Sequence, residues 1–231
     1  MNTVKVGDVF KTKQGECTVI EYNNAFNVTV EFNDKWMYQT SVKAVQLRKG
    51  SVKNVFFPSV SGIGYIGEGD FSCKNTYEYR LWLKLIKNHS KGVMILDSKW
   101  FDLQEFCLWC EKNKKDGWTL SMEILKSVRK EVNENTICFL PILIFGAISE
   151  PYKRDKELPI GVYLLKNKKG YCSKVRMYKR VKCLGSYNTP QEASDAYIKS
   201  KESYVKELAL EYKYLLPIEV YDALMSWKVC D

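Results

Sequence analysis

The feature that most constrains the fold is a series of three short strand-like segments followed at once by a helix-start signal. The segments are rich in β-branched and aromatic residues and cover residues 160–165, 171–177 and 180–184. Thr189 is a suitable N-cap, Pro190 fits the first helical position, and Glu192 supplies an acidic first turn. We predict a small three-stranded sheet covered by a helix that runs to about Tyr214.

The middle segment alternates between two faces. One face carries Tyr171, Ser173 and Val175, and the other carries Cys172, Lys174 and Arg176. A helix packed on the first face would leave the second face open to solvent. We therefore expect Lys174 and Arg176 to point outward from the sheet.

The same segment carries almost all of the net charge of +9. Between residues 159 and 185 the chain has no Asp or Glu and eight basic residues, namely Lys166, Lys168, Lys169, Lys174, Arg176, Lys179, Arg180 and Lys182. Subtracting these eight from +9 leaves +1 for the rest of the chain. A concentrated positive charge indicates a polyanion such as nucleic acid as partner. The alternative is a hairpin whose charge only increases solubility.

Residues 1–50 have the pattern of a small all-β domain. Val28, Val30 and Phe32 alternate with polar residues, as in a half-buried strand. Other short β-branched and aromatic runs cover residues 4–10, 17–22, 36–38 and 42–47. We predict a small five-stranded β-barrel over residues 1–50, a fold that by itself indicates no function.

Residues 51–73 form a predicted linker with several glycines. The spacing Gly62-x-Gly64-x-x-Gly67 formally matches a dinucleotide-binding fingerprint. No βαβ pattern surrounds these glycines, and no helix pattern begins after Gly67. We therefore interpret the segment as a loop whose glycines adopt positive φ angles.

Residues 74–157 combine helical and strand patterns. Two helices are predicted between residues 75 and 115, and Asp102 is a suitable N-cap for the second. Residues 118–125 and 136–140 have the pattern of two strands, and residues 142–148 that of a short helix. With the sheet and helix that follow, the whole chain is predicted to have an α+β fold.

Several residues of the C-terminal segment match a known pattern. They are Gly161-Val162, Tyr171, Val175-Arg176, Leu184-Gly185-Ser186-Tyr187, Glu192-Ala193 and Ala196-Tyr197. In this order they closely resemble an Apetala-two/ERF-type DNA-binding domain. The resemblance implies binding of duplex DNA in the major groove. It also implies that Tyr163, Lys174 and Arg176 contact the DNA and that Ser186 contacts a phosphate.

The order of segments along the whole chain also matches a known arrangement. The matching segments are residues 47–54, Gly62–Gly67 in the glycine loop, Lys99-Trp100-Phe101, Leu120 with Glu123-Ile124-Leu125, and residues 135–141. They make the chain similar to bacteriophage homing-type HNH endonucleases that end in such a DNA-binding domain. The resemblance implies a degenerate HNH-like ββα domain at 74–157 and a DNA-binding domain with a helical tail at 158–231.

An HNH centre is a ββα clamp on one divalent metal, with a general base that activates water. The chain has one histidine, His89, which precedes the predicted hairpin by many residues. Where the resemblance places catalytic groups, the chain has Ser121-Met122-Glu123 and an apolar helix after Pro141. We therefore expect a phage DNA-binding protein derived from an HNH endonuclease, without nuclease activity, cofactor or metal site.

Two alternatives stay open. In the first, Glu123 and Asn135 hold Mg²⁺ and the protein is an active metal-dependent endonuclease. In the second, the protein is a phage counter-defence inhibitor that binds a host nuclease or its guide RNA.

The eight cysteines show no regular framework spacing, and the N-terminus has no apolar signal segment. No apolar run reaches about 18 residues. We therefore expect a protein of the host-cell cytoplasm with reduced thiols and no membrane contact. Cys107-x-x-Cys110 could bind zinc with Cys73 and Cys138. The apolar helical pattern around the first pair favours buried core cysteines instead.

Overall fold

A computed structural model describes residues 3–71, 75–125, 130–149, 157–166 and 169–229. Helices and strands mix in an α+β fold, as the sequence predicts. The chain divides into two compact units, residues 1–112 and 113–231, each with its own core. The boundary between the two units falls inside the segment 74–157 that the sequence predicts as one domain, and the four-part division stays a prediction.

The first unit begins with strands and ends with helices. Its elements are β1 (Val9–Thr12), β2 (Gly15–Asn24), β3 (Asn27–Phe32), β4 (Gln39–Val42), α1 (Ala44–Arg48), α2 (Tyr77–Ser90), β5 (Ile95–Leu96), a 3₁₀ turn (Ser98–Phe101) and α3 (Leu103–Asn113). Strands β1 to β4 form one antiparallel sheet in the order of the sequence.

The predicted five-stranded barrel is wrong, because this sheet has four strands and stays open in the part of the chain that the structure describes. The predicted fifth strand is helix α1. Ala44 and Leu47 are three residues apart and both buried, which is a helical spacing. The backbone N–H of Lys43 donates to the side chain of Gln46 at 2.9 Å, so the helix start is also capped.

The glycine loop packs on the start of α3. Gly67 has a φ of +73°, and a Cβ at this position would overlap the carboxylate of Asp102. That carboxylate accepts a hydrogen bond of 2.8 Å from the backbone N–H of Gln104, so Asp102 caps α3 as predicted. The loop interpretation of the glycines is therefore confirmed at Gly67, and also at Gly62, with a φ of +74°.

The second unit contains two small sheets and three helices among its described residues. Its elements are β6 (Trp118–Ser121), β7 (Glu131–Val132), β8 (Cys138–Pro141), α4 (Ile142–Ile148), β9 (Val162–Leu164), β10 (Tyr171–Met177), β11 (Arg180–Tyr187), α5 (Pro190–Glu211) and α6 (Ile218–Met225). Strands β6 and β8 pair antiparallel, and β9, β10 and β11 form an antiparallel sheet with β10 in the centre.

Helix α5 is the element on which both parts of the second unit pack. Its start is a capping box: the hydroxyl of Thr189 accepts from the N–H of Glu192 at 3.2 Å, and the carboxylate of Glu192 accepts from the N–H of Thr189 at 3.3 Å. The predicted helix start is thus confirmed. Tyr197 near this end packs with the β9–β11 sheet, while Val205 and Leu208 further along pack with α4 and α6. With 22 residues, the helix is about 33 Å long.

Within the described ranges, the helices are all too short or too polar to cross a membrane.

Candidate nucleic-acid interface

The register of the β9–β11 sheet decides which side chains share a face. Cys172 on the central strand lies opposite Tyr163 on β9 and opposite Ser186 on β11. Lys174 lies opposite Cys183. Directly opposite residues of an antiparallel pair point to the same side of the sheet. We call this side the basic face; it consists of Tyr163, Cys172, Lys174, Arg176, Val181, Cys183 and Ser186.

The opposite side of the sheet is covered by α5. Ser173 and Val175 of the central strand are buried there, whereas Lys174 and Arg176 are exposed, so the alternation predicted for this strand is present. Gly161, just before β9, has a φ of +78°, and a Cβ there would overlap the ring of Tyr197 on α5. A glycine at this position therefore lets the sheet and the helix approach closely.

A β-bulge in β11 brings Cys183 and Ser186 onto the same face. The register shifts between Ser173 and Lys174, so that Leu184 has no direct partner on the central strand. Gly185 beside it has a φ of +143°. Residues three apart in a regular strand point to opposite faces. The sequence predicted that the strand ends at Leu184, but it continues to Tyr187 because the bulge absorbs the irregularity.

Lys174 is held over an aromatic ring at the centre of this face. Its Nζ lies 5.3 Å from the centroid of the Tyr163 ring, which is within cation–π distance. Within the described residues, no carboxylate forms a salt bridge with Lys174 or with Arg176. The two cations therefore stay available to an anionic partner.

The remaining predicted binding residues surround the basic face. Lys179 lies in the turn between β10 and β11 and has a φ of +64°. Arg180 lies opposite Met177, and Lys182 lies opposite Val175. The register therefore assigns both basic residues to the helix-covered side of the sheet. Both are nevertheless exposed, because β11 is an edge strand. Lys166 follows β9 and is exposed. Lys168 is outside the described residues.

The turn at the end of the β10–β11 hairpin is anchored to α5. The backbone N–H of Tyr178 donates to the hydroxyl of Tyr204 at 2.7 Å, and the hydroxyl of Tyr178 donates to Glu207 at 2.9 Å. The hydrogen bond to Glu207 raises the pKa of Tyr178 to about 12, so the phenol is neutral and remains a donor at neutral pH.

Sequence reasoning missed this anchor. The turn is a two-residue connection, Tyr178-Lys179, with positive φ angles of 47° and 64°. Its residue types are not the Asn-Gly that usually signals such a turn, so the sequence carries no signal for it.

The candidate catalytic residues lie beyond one end of the β6–β8 hairpin. Ser121 pairs with Cys138, so Glu123 follows β6 and Asn135 precedes β8 at the same end. Both side chains are exposed. The N–H of Asn135 donates to the side chain of Asn133 at 2.9 Å, which stabilises the local turn. Among the described residues, no three His, Cys, Asp or Glu side chains are grouped as metal ligands would be.

His89 has a structural role in the first unit. Its Nδ1 accepts a hydrogen bond of 3.0 Å from the backbone N–H of Leu96, and its ring lies 5.3 Å from that of Phe101. An accepting Nδ1 places the proton of the neutral ring on Nε2. The histidine therefore fixes the chain that follows α2.

The cysteines considered for zinc binding are buried. Cys107 and Cys110 lie within α3, and Cys138 lies within β8. Burial raises the pKa of Cys107 to about 11 and that of Cys138 to about 12, so both are protonated thiols at neutral pH. Cys73, the fourth candidate ligand, is outside the described residues.

Comparison of the chain with protein-family models, with curated proteins and with solved structures gives no match. The family resemblances inferred from the sequence therefore stay predictions.

Proposed function

We propose that the protein binds duplex DNA through the basic face of the β9–β11 sheet. The observation that carries this proposal is the position of Lys174 and Arg176. Both point outward from the central strand, both are exposed, and Tyr163 and Ser186 flank them on the neighbouring strands. These are also the four contact residues that the Apetala-two/ERF resemblance implies.

The dimensions of the sheet support docking in the major groove. Neighbouring strands lie about 4.8 Å apart, so the two outer strands of a three-stranded sheet are about 10 Å apart. The major groove is about 12 Å wide and accepts β-structure as well as an α-helix. The minor groove, at about 6 Å, is too narrow for the sheet.

The chemistry of the face supports contacts of two kinds. Lys174 and Arg176 can neutralise phosphates or donate to guanine edges, and Ser186 can donate to a phosphate. Helix α5 covers the other side of the sheet, so the charged side is the one that a partner can reach. Lys179 in the turn of the β10–β11 hairpin is exposed and adds a further positive charge at the end of the sheet.

The test uses a double substitution and a matched control. Lys174→Ala with Arg176→Ala removes two positive charges from the basic face. Lys11→Ala with Lys35→Ala removes two from the first unit, where Lys11 pairs with Glu16 and Lys35 lies over Trp36. We expect the first pair to weaken binding of a labelled duplex, measured by fluorescence anisotropy, by about 10- to 100-fold. The control pair should change it by less than about 3-fold.

Equal losses in the two double variants would show that only total charge matters, and would refute the basic face as the binding site.

We further propose that binding, and not cleavage, is the activity of this chain. Strand β8 is buried along its whole length, and α4 begins with the apolar run Ile142–Phe145. An HNH clamp would need polar metal ligands from such elements. On this account the protein derives from a phage HNH endonuclease and retains its DNA-binding domain.

The alternative is a Mg²⁺-dependent endonuclease, and one observation favours it: Glu123 and Asn135 are both exposed at the same end of the hairpin. Incubation with supercoiled plasmid and Mg²⁺ or Mn²⁺ separates the two functions. We expect uncut plasmid with the wild-type protein. Nicking that Glu123→Ala abolishes would instead establish the endonuclease.

A further inference from the structure

Two cysteines lie side by side within the basic face. Cys172 is on the central strand, two residues before Lys174, and Cys183 lies directly opposite Lys174 on β11. Cys172 and Cys183 are therefore diagonal neighbours on one side of the sheet, a relation in which side chains can touch. The bulge at Leu184 is what turns Cys183 to this side.

The two thiols are diagonal neighbours that differ in exposure. Cys183 is exposed, whereas Cys172 is only 6% exposed. The sulfur of Cys183 also lies 4.0 Å from the carbonyl oxygen of Gly185, at the bulge. An exposed thiol thus neighbours a buried one on the same face, which is the arrangement of an attacking and a resolving cysteine.

We propose that Cys172 and Cys183 form a reversible disulfide, made by exchange with a small-molecule disulfide such as oxidised glutathione, and that this bond weakens DNA binding. The second half of the proposal rests on the proposed function. The first half does not, because it concerns only the chemistry of the two thiols.

The exchange takes place in two balanced steps. Cys183 loses its proton to solvent, and its sulfur attacks one sulfur of the small-molecule disulfide, from which one thiolate leaves. Cys172 then loses its proton, and its sulfur attacks the sulfur of Cys183 and releases the second thiolate. The two protein thiols have lost two electrons and two protons, and two small thiols have gained them. Excess reduced thiol reverses both steps.

The order of the steps follows from the surroundings of each sulfur. Burial raises the pKa of Cys172, and the neighbouring Cys183 raises it further. Cys172 is therefore a poor first nucleophile for a molecule arriving from solvent. It needs no such encounter in the second step, because the sulfur of Cys183 is already its neighbour.

The bond would act on DNA binding through the position of Lys174. A disulfide holds its two Cβ atoms about 3.8 Å apart, closer than diagonal neighbours of a regular sheet. Forming the bond therefore draws the bulged part of β11 toward Cys172, and Cys183 is the direct partner of Lys174. This movement changes the position of Lys174 relative to the neighbouring strands β9 and β11. Its contact with a phosphate depends on that position.

The test treats the full-length protein with oxidised glutathione and digests it with trypsin. Cleavage after Lys169, Lys174 and Lys182 places the two cysteines on different peptides. We expect mass spectrometry to find these peptides joined by a disulfide, and reduction to separate them. Recovery of the peptides unlinked, or with each cysteine carrying its own glutathione, would overturn the proposal.

The effect on binding is measured on the same samples with Cys183→Ser as control. Oxidation should weaken duplex binding by the wild type by about tenfold. The oxidised and reduced forms of Cys183→Ser should bind the duplex with the same affinity as each other, whatever that affinity is, because the variant cannot form the bond. Linked peptides with unchanged duplex affinity would overturn the regulatory half. If the reduced wild type binds no duplex although the linked peptides form, the proposed function has failed and the disulfide stands.

Discussion

The two larger antiparallel sheets of this protein are stabilised in different ways. The β1–β4 sheet has a core of its own, in which Val19, Val28 and Val30 are buried with α1. Its exposed charges have partners on neighbouring strands: Lys11 lies 3.6 Å from Glu16, and Gln39 donates to Glu31 at 2.7 Å. The β9–β11 sheet has a much smaller buried cluster, formed with α5, and its central cations form no salt bridge with the described carboxylates.

The difference shows how a small sheet can leave the charged side chains of one face unpaired. Salt bridges and hydrogen bonds between neighbouring strands stabilise a sheet, but they engage charged side chains that could otherwise contact a partner. The β9–β11 sheet depends on contacts with α5 instead, through Gly161, Tyr197 and the anchored turn at Tyr178. Its basic face can therefore carry unpaired positive charge, and its stability should respond mainly to changes on the helix side.

The largest effect on stability is expected at the contact between sheet and helix. Gly161→Ala forces a Cβ against the ring of Tyr197 and also strains a backbone with a φ of +78°. We expect a loss of about 2–4 kcal/mol in the free energy of unfolding. Chemical denaturation gives the loss, and faster hydrogen exchange in residues 171–187 should locate it.

Gly117→Ala is the matched control, because Gly117 belongs to the same unit, has a φ of +74° and has open space around its Cβ position. Its cost should be the backbone strain alone, about 1 kcal/mol. Equal losses at the two glycines would contradict the dependence of the sheet on close packing with α5.

A smaller effect, of opposite sign, is expected from the buried lysine of α5. Lys201 is 6% exposed and is the only buried charged residue in the ranges that the structure describes. Its Nζ donates to the carbonyl of Ser149 at 3.4 Å, at the end of α4, and burial lowers its pKa. Lys201→Met should stabilise the protein at pH 7 by about 1 kcal/mol, because the cost of burying a charge disappears.

The pH dependence of this difference has a defined sign. The pKa of Lys201 is lower in the folded chain than in the unfolded chain, so the unfolded state binds more protons between the two values. The wild type should therefore gain stability relative to Lys201→Met as the pH rises through the alkaline range. A difference that is constant with pH, in urea unfolding from pH 7 to 10, would contradict a buried charged lysine.

The smallest effect is expected at Ser173, on the side of the β9–β11 sheet that α5 covers. Its hydroxyl is fully buried and has no hydrogen-bond partner among the residues that the structure describes. Ser173→Ala should be neutral or stabilising by up to about 1 kcal/mol. Ser121→Ala is the control in the same unit, because the buried Ser121 hydroxyl accepts from the N–H of Glu123 and its loss should destabilise. Thermal unfolding compares the two, and a clear loss at Ser173 would mean that its hydroxyl has a partner.

Local signals in the sequence predicted the parts of the fold that depend on neighbouring residues. The capping box at Thr189 and the cap at Asp102 are short-range hydrogen bonds, and both are present. The alternation in residues 171–177 correctly placed Lys174 and Arg176 outside. The barrel failed because residues 42–47 fit a strand by composition, whereas burial of Ala44 and Leu47 favours a helix.

The parts that sequence could not predict depend on contacts between distant residues. The bulge at Leu184 is needed to put Cys183 and Ser186 on one face. Gly185 beside it is of a residue type that marks bulges, but it fits the end of a strand equally well, so the sequence alone does not predict the change of register. The anchor of Tyr178 needs Tyr204 and Glu207, more than twenty residues away on α5. The neighbouring positions of Cys172 and Cys183 on one face follow only from the bulge.

The most direct test of the binding site is the salt dependence of duplex binding. The logarithm of the binding constant falls linearly with the logarithm of salt concentration, with a slope of about −0.9 for each neutralised phosphate. If Lys174 and Arg176 contact phosphates, their double alanine variant should bind with a slope shallower than the wild type by about 2. A wild-type slope together with wild-type affinity in the double variant would contradict the assignment of the basic face as the DNA-binding surface.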